Sequence, residues 1–150
     1  MEIKSNKQYH PQMHSAEHIL NQTMIRMFDC GRSFSNHIEK KKSKCDYYFG
    51  RDLTQSEIDE IEDRVNEIIN NDLLIEECFY KIEEAEKTFN LSKLPENSGD
   101  LIRVIKIGDY DFCPCSGLHV KHTKEIGTFK IISTSFGEGT LRIRFKLLEE

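Results

Sequence analysis

Residues 126–148 read IGTFKIISTSFGEGTLRIRFKLL, and this stretch decides the fold because it predicts a hairpin of two long antiparallel strands. The first strand would span Ile126–Phe136 and the second Thr140–Leu148, around a turn at Gly137-Glu138-Gly139. In the second strand apolar side chains alternate with basic ones, so one face is expected to meet the core. The other face is either a solvated, edge-protecting surface or a track for phosphates. Its basic residues are Arg142, Arg144 and Lys146.

Helices are predicted ahead of this hairpin. Apolar residues recur at helical spacing from Met13 to Phe28, and Gly31 is the expected stop. A second helix begins at the capping box of Thr54 and Glu57 and continues to about residue 70. A third, short helix is expected at Lys81–Phe89.

Shorter strands complete an α+β fold, in which an antiparallel sheet has its helices packed on one side. They are expected at Ser33–Ile38, Cys45–Phe49, Leu73–Tyr80, Leu101–Ile107 and Tyr110–Cys113. The chain shows no internal repeat and no linker. We therefore expect a single domain over residues 1–150, with residues 1–12 as an N-terminal extension.

The composition is that of a globular protein, with 37% hydrophobic and 31% charged residues. No run of about 18 apolar residues predicts a membrane span. The N-terminus lacks the apolar segment of a secretory signal, and the five cysteines show no even spacing, so a cytoplasmic, reduced protein is expected. The net charge of −5 counts mildly against a dedicated nucleic-acid binder, although basic residues concentrate locally at Lys40–Lys44 and in the last strand.

Two pairs of metal-ligand residues lie far apart in the chain. His14 and His18 are four residues apart in the first predicted helix, which puts both imidazoles on one face. Cys115 and His119 have the same spacing in the C-terminal third. Each pair alone is a weak signal, because histidines at this spacing are most often unrelated residues. Together they form a set of three imidazoles and one thiolate, which is typical of zinc.

The contexts of these pairs resemble a known family. The stretch His14-Ser-Ala-Glu-His18-Ile-Leu-Asn is similar to the His-x-x-x-His opening of the editing domain of alanyl-tRNA synthetases. The stretch Cys115-Ser-Gly-Leu-His119-Val resembles that domain's Cys-Gly-Gly-Thr-His-Val signature. The resemblance covers about residues 13–135, and the editing domain of threonyl-tRNA synthetases is related to the same family. Further similar segments lie at residues 53–71, Glu84-Ala85 and residues 123–131.

The resemblance implies a fold of the synthetase second-additional-domain type and zinc-dependent hydrolysis of mischarged tRNA. In this family the substrates are chiefly Ser-tRNA(Ala) and often Gly-tRNA(Ala), and a short free-standing form acts in trans. The ligands implied, acting in catalysis through Zn²⁺, are His14, His18, Cys115 and His119. The chain lacks the aminoacylation part, so ATP is not expected as a substrate. Charge suggests tRNA contacts at Lys121, Arg142, Arg144 and Lys40–Lys44, and no sequence feature specifies an oligomeric state.

Departures from the family pattern keep other interpretations open. Ser116 and Leu118 stand where the family has Gly and Thr, and Cys113 stands where an acidic residue is usual. Cys113 is therefore a spare thiol, a substitute ligand or a small buried residue. Glu17 is expected to face solvent. The main alternative is a non-catalytic tRNA- or partner-binding module with a structural zinc, and a hydrolase of small esters or amides is a third interpretation.

Overall fold

The computed structural model describes residues 10–83 and 101–148, and the predicted α+β class is confirmed. Every strand pairing in these ranges is antiparallel. The strands divide into two sheets, one of four strands and one of three, where the sequence predicted one sheet.

The predicted hairpin lies inside the four-stranded sheet. Its turn has positive φ at both Glu138 and Gly139, as a type I′ turn requires. The first strand of the hairpin starts two residues later than predicted, because Thr123–Ile126 form a 3₁₀ helix. The strands of this sheet are β1 (Ser35–His37), β2 (Ser43–Tyr48), β6 (Thr128–Gly137) and β7 (Thr140–Leu148). Their order across the sheet is β1-β2-β7-β6.

The three-stranded sheet has the order β3-β4-β5. Its strands are β3 (Ile75–Lys81), β4 (Leu101–Ile107) and β5 (Asp111–Pro114). A tight turn joins β4 to β5, and Gly108 in this turn has a positive φ of 48°. This short connection brings the start of β5 back beside β4, and the chain then enters the loop that carries Cys115 and His119.

Two helices, α1 (Pro11–Phe28) and α2 (Gln55–Asn70), are described. The predicted capping box of α2 is present, since the Glu57 amide donates to the Thr54 hydroxyl at 3.2 Å and the Thr54 amide donates to the Glu57 carboxylate at 2.9 Å. Helix α2 buries a single stripe of Ile61, Val65 and Ile69. Helix α1 differs, because every side chain from residue 13 to residue 21 is buried.

One apolar core joins the helices to both sheets. Strand β7 has the predicted alternation, with Leu141, Ile143 and Phe145 fully buried and its arginines on the opposite face. In the described ranges no helix is long and apolar enough to cross a membrane.

Several predictions fall on residues outside the described ranges. These are most of the helix expected at Lys81–Phe89, the family-like pair Glu84-Ala85, and nearly all of the N-terminal extension. At Lys81 itself the structure has the last residue of β3.

Candidate metal centre

Helix α1 supplies the first two predicted ligands from its buried N-terminal half. His14 and His18 are 0% and 4% exposed and lie one turn apart. Their rings are nearly perpendicular, with centroids 4.9 Å apart. Burial of two imidazoles on one face requires polar partners for their nitrogens.

The loop after β5 supplies the other two ligands, and Arg103 of β4 holds this loop in place. The Arg103 guanidinium donates to the carbonyl oxygens of Cys115 at 2.9 Å and Gly117 at 2.7 Å. The Cys115 amide in turn donates to the Arg103 carbonyl oxygen at 3.1 Å. Glu77 of β3 accepts a 2.6 Å hydrogen bond from Arg103 Nε and orients the guanidinium. No local sequence pattern predicts this contact, because it joins three separate segments.

The structure brings all four predicted ligands together. One side-chain donor atom from each of His14, His18, Cys115 and His119 lies within 4.8 Å of the other three. The Cys115 sulfur is 3.4 Å from His14 Nε2, and the His119 ring stacks on the His14 ring at 4.1 Å. Three nitrogens and one sulfur suit a borderline-soft ion such as zinc.

The outer nitrogens of the three imidazoles have partners that turn the inner nitrogens toward the centre. His14 Nδ1 donates to the carbonyl oxygen of Leu118 at 3.0 Å, which leaves a lone pair on Nε2. His119 Nδ1 hydrogen-bonds the Ser15 hydroxyl at 2.9 Å, while the buried Nε2 has no hydrogen-bond partner. His18 Nδ1 lies 3.5 Å from the Asp111 carboxylate, at ion-pair distance but without a hydrogen bond. Such outer contacts are typical of metal-binding histidines, so the residues fit a metal ion.

Asp111 is a fully buried carboxylate that the sequence analysis did not single out. Besides His18, it accepts a 2.8 Å hydrogen bond from Gln22 and pairs with Arg32. Burial raises the pKa of Asp111, but His18 and Arg32 outweigh this effect and lower it to about 2. Asp111 is therefore ionised at neutral pH and presents a fixed negative charge to His18.

The electrostatics of the cluster favour its metal-binding protonation states at Cys115 and His119. Burial raises the pKa of the Cys115 thiol, but the surrounding imidazoles of His119, His14 and His18 outweigh burial and lower it to about 2. Burial lowers the pKa of His119 to about 3, with help from the charge of His18. For His18, burial is outweighed by Asp111 and Cys115, which raise its pKa well above the usual value. At neutral pH the Cys115 sulfur is a thiolate and the His119 imidazole is neutral, whereas the His18 imidazole is protonated on both nitrogens and positively charged.

Glycine is required at position 117 because the His14 ring lies very close to its backbone. A methyl carbon at this position would lie 2.3 Å from His14 Cε1 and 2.7 Å from His14 Nδ1. Ser116 stands where the family has another glycine, but its φ is not positive, so the serine needs no strained backbone. The Leu118 side chain is 55% exposed, and only its carbonyl contacts the cluster.

Glu17 is buried, and the prediction that it faces solvent is wrong. Its side chain is 2% exposed, and one carboxylate oxygen lies 3.7 Å from His14 Nε2. Helical periodicity placed Glu17 on an exposed face, whereas the first half of α1 is covered on all sides. Cys113 is partly buried, and burial raises the pKa of its thiol. It is not a member of the four-residue cluster.

The basic residues predicted to contact tRNA lie in two places. Lys121 is exposed two residues after His119, and its carbonyl oxygen accepts a hydrogen bond from the Ile75 amide. Arg142 makes two hydrogen bonds, of 2.7 and 2.9 Å, to Asp46 on the four-stranded sheet. Arg144, on the same face, contacts serine hydroxyls on β6 at 3.3 and 3.4 Å.

Comparison with known proteins defines the family. Residues 102–144 match the family model described as the threonyl and alanyl tRNA synthetase second additional domain. The alanine–tRNA ligase of Oceanobacillus iheyensis is 34% identical over 132 residues, and that of Thermoanaerobacter pseudethanolicus is 37% identical over 134 residues. The Bacillus subtilis alanine–tRNA ligase is 34% identical over 133 residues. Each match covers 87% of this chain and 15% of the relative. The chain belongs to the editing-domain family related to alanyl-tRNA synthetase.

Proposed function

We propose that this chain hydrolyses the ester bond of mischarged aminoacyl-tRNA in trans, with Ser-tRNA(Ala) and Gly-tRNA(Ala) as its substrates. The observation that carries the proposal is the convergence of His14, His18, Cys115 and His119 on one point. Similarity to alanine–tRNA ligases supports a substrate that is a tRNA ester. In the reaction water adds to the ester carbonyl carbon, the bond to the ribose oxygen breaks, and that oxygen takes up a proton. The products are a free amino acid and uncharged tRNA.

The proposed metal is Zn²⁺, held by the inner nitrogens of the three histidines and the Cys115 thiolate. When bound, such an ion polarises a carbonyl group and lowers the pKa of water. The protein's own residues position the ligands. Ser15 and Asp111 orient His119 and His18, and Arg103 holds the loop that carries Cys115. These contacts keep the imidazoles and the thiolate in place before any substrate arrives.

A structural role for the zinc is the second candidate, and one observation favours it. Four protein donors converge on the centre, and four ligands complete the tetrahedral coordination of a structural zinc. In that case the chain is a non-catalytic tRNA- or partner-binding module. The exposed Leu118 side chain, where the family has a threonine hydroxyl, agrees with such a change of use.

The remaining parts of the proposal concern the partner and the setting. We propose that Lys121, Arg142 and Arg144 contact the phosphates of tRNA, and that neither ATP nor a membrane takes part. We also propose that residues 1–150 act as one domain in the cytoplasm. A small domain with a net charge of −5 should bind tRNA weakly, with an affinity that falls as salt rises.

A deacylation assay with His18→Ala separates the two candidates. Ser-tRNA(Ala), Gly-tRNA(Ala) and Ala-tRNA(Ala) are each incubated with wild type and variant, and folding is followed by circular dichroism. A catalytic zinc predicts that the wild type releases serine or glycine but spares alanine, and that a folded variant releases neither. If a zinc-loaded wild type releases no amino acid, the hydrolase is excluded and the binding module stands. If the variant is folded and equally active, the metal centre is not catalytic.

A further inference from the structure

The outer face of the four-stranded sheet, directed away from the core, has an unusual composition. Residues directly opposite each other on paired strands share a face. Lys44 lies opposite Arg144, Asp46 opposite Arg142, and Tyr48 opposite Thr140. These residues alternate with the buried Leu141, Ile143 and Phe145, so all of them lie on the outer face.

This outer face is basic in a chain that is acidic overall. Strands β2 and β7 carry four basic residues and a single acid, Asp46, which Arg142 already pairs. The cations that these two strands place on this face are Lys44, Arg142, Arg144 and Lys146. Serine hydroxyls of β6 lie beside Arg144. With a net charge of −5 for the chain, the charge is segregated onto this surface. Cations interspersed with hydroxyls are the groups that contact the phosphates and 2′-hydroxyls of RNA.

An exposed aromatic pair borders the same face. The rings of Phe34 and Tyr48 are stacked, with centroids 4.1 Å apart and planes 16° from parallel. The Tyr48 side chain is 71% exposed, so one face of a rigid, pre-stacked platform is open to solvent. A flat aromatic surface beside cations is the arrangement on which unpaired bases stack.

The aromatic pair is connected to the metal centre by a short run of chain. Arg32 is two residues before Phe34, a separation of at most about 7 Å along the backbone. The Arg32 guanidinium pairs with Asp111, whose carboxylate faces His18. Arg32 and Asp111 therefore link the aromatic pair to the metal centre.

From these contacts we infer that the outer face of the four-stranded sheet binds RNA, with an unpaired base stacked on Tyr48 and phosphates on Lys44 and Arg144. The inference rests on the tRNA part of the proposed function, and it adds a docking surface separate from the metal centre. Arg142 is held by Asp46 and contributes less to binding than its neighbours.

The test is the binding of fluorescein-labelled, uncharged tRNA(Ala), measured by fluorescence anisotropy at several salt concentrations. Tyr48→Ala should weaken binding by roughly tenfold, since stacking is lost, whereas Tyr48→Phe should bind like wild type. Lys44→Gln and Arg144→Gln should each reduce the slope of log affinity against log salt by about one. All three side chains lie on the sheet surface, and circular dichroism checks that the four variants are folded.

Matched controls come from elsewhere in the chain. Phe79 is 58% exposed on the three-stranded sheet, and Arg64 is an exposed arginine of α2 that pairs with Glu60. Phe79→Ala and Arg64→Gln should leave both the affinity and the salt slope unchanged. The inference is overturned if Tyr48→Ala binds as tightly as Phe79→Ala, or if the lysine and arginine variants keep the wild-type slope.

The outcome is distinguishable from that of the proposed function, because uncharged tRNA carries no ester. If binding depends on Tyr48 but the protein hydrolyses no substrate, the docking surface is supported and the proposed hydrolase activity is contradicted. If the protein hydrolyses its substrate with the same KM in wild type and Tyr48→Ala, the docking surface is contradicted and the proposed hydrolase activity is supported. If both proposals hold, Tyr48→Ala raises KM and leaves kcat unchanged.

Discussion

Replacing Gly117 with alanine should damage the metal centre without altering any ligand. The added methyl carbon would lie 2.3 Å from His14 Cε1. Ordinary contact between carbon atoms begins at about 3.5 Å, so the imidazole or the loop must move by roughly 1 Å. Distances from a metal to its ligands are held to about 0.2 Å, and the His14 ring is also fixed by its hydrogen bond to Leu118. We therefore expect the zinc affinity of Gly117→Ala to fall at least roughly 100-fold.

The assay is competition for zinc between the protein and a chromophoric chelator, with folding checked by circular dichroism. Gly50→Ala is the matched control, because a methyl carbon there has no atom within 4 Å and the backbone φ is not positive. This control should bind zinc like wild type. A folded Gly117→Ala protein with wild-type affinity would refute the reasoning, because His14 could then not be a ligand in the position described.

Further predictions concern the contacts around the ligands and the fold. Asp111→Asn should weaken zinc binding by roughly 10–100-fold, since His18 loses its charged partner, and the same competition assay measures it. Arg103→Met should weaken binding similarly by freeing the Cys115 loop, and the Co²⁺-substituted protein should show an altered thiolate absorption band. Because the pKa of His18 is raised well above its usual value, zinc binding at neutral pH should release about one proton, and affinity should rise with pH as long as the pH stays below that raised pKa. Calorimetry in buffers of different ionisation enthalpy would contradict this if no proton were released. Thr54→Ala should lower the free energy of unfolding in urea by about 1 kcal/mol, and Thr54→Ser should restore it.

Local patterns in the sequence predicted much of the fold and the four residues that come together in the histidine and cysteine cluster. The alternation in β7 and the capping box at Thr54 depend on neighbouring residues, and both appear as predicted. Strand ends moved by a few residues where a turn or 3₁₀ helix competes with the sheet, as at Thr123–Ile126. The division into two sheets was not predicted, because it depends on which strands pair across long stretches of chain.

The surroundings of the ligands were beyond prediction for the same reason. Asp111 reaches His18 of α1 from the three-stranded sheet, and Arg103 reaches the Cys115 loop from β4. The spacing of residues within one segment of the sequence predicts neither contact. Helical periodicity placed Glu17 in solvent, since it assumes one exposed face, whereas the surrounding structure covers the whole first half of α1. The family pattern contains a glycine at position 117. The reason that glycine is needed there, its close contact with His14, could be seen only in the structure.

The most direct test of the account is the rate of Ser-tRNA(Ala) deacylation as zinc is added back to chelator-treated protein. The cluster of three histidines and one cysteine predicts that the rate rises with bound zinc and saturates at one ion per chain. It also predicts that Cys115→Ser and His18→Ala stay inactive throughout the titration. A rate that is independent of bound zinc, or a zinc-saturated wild type that releases no serine or glycine, would contradict the proposal that this centre hydrolyses mischarged tRNA.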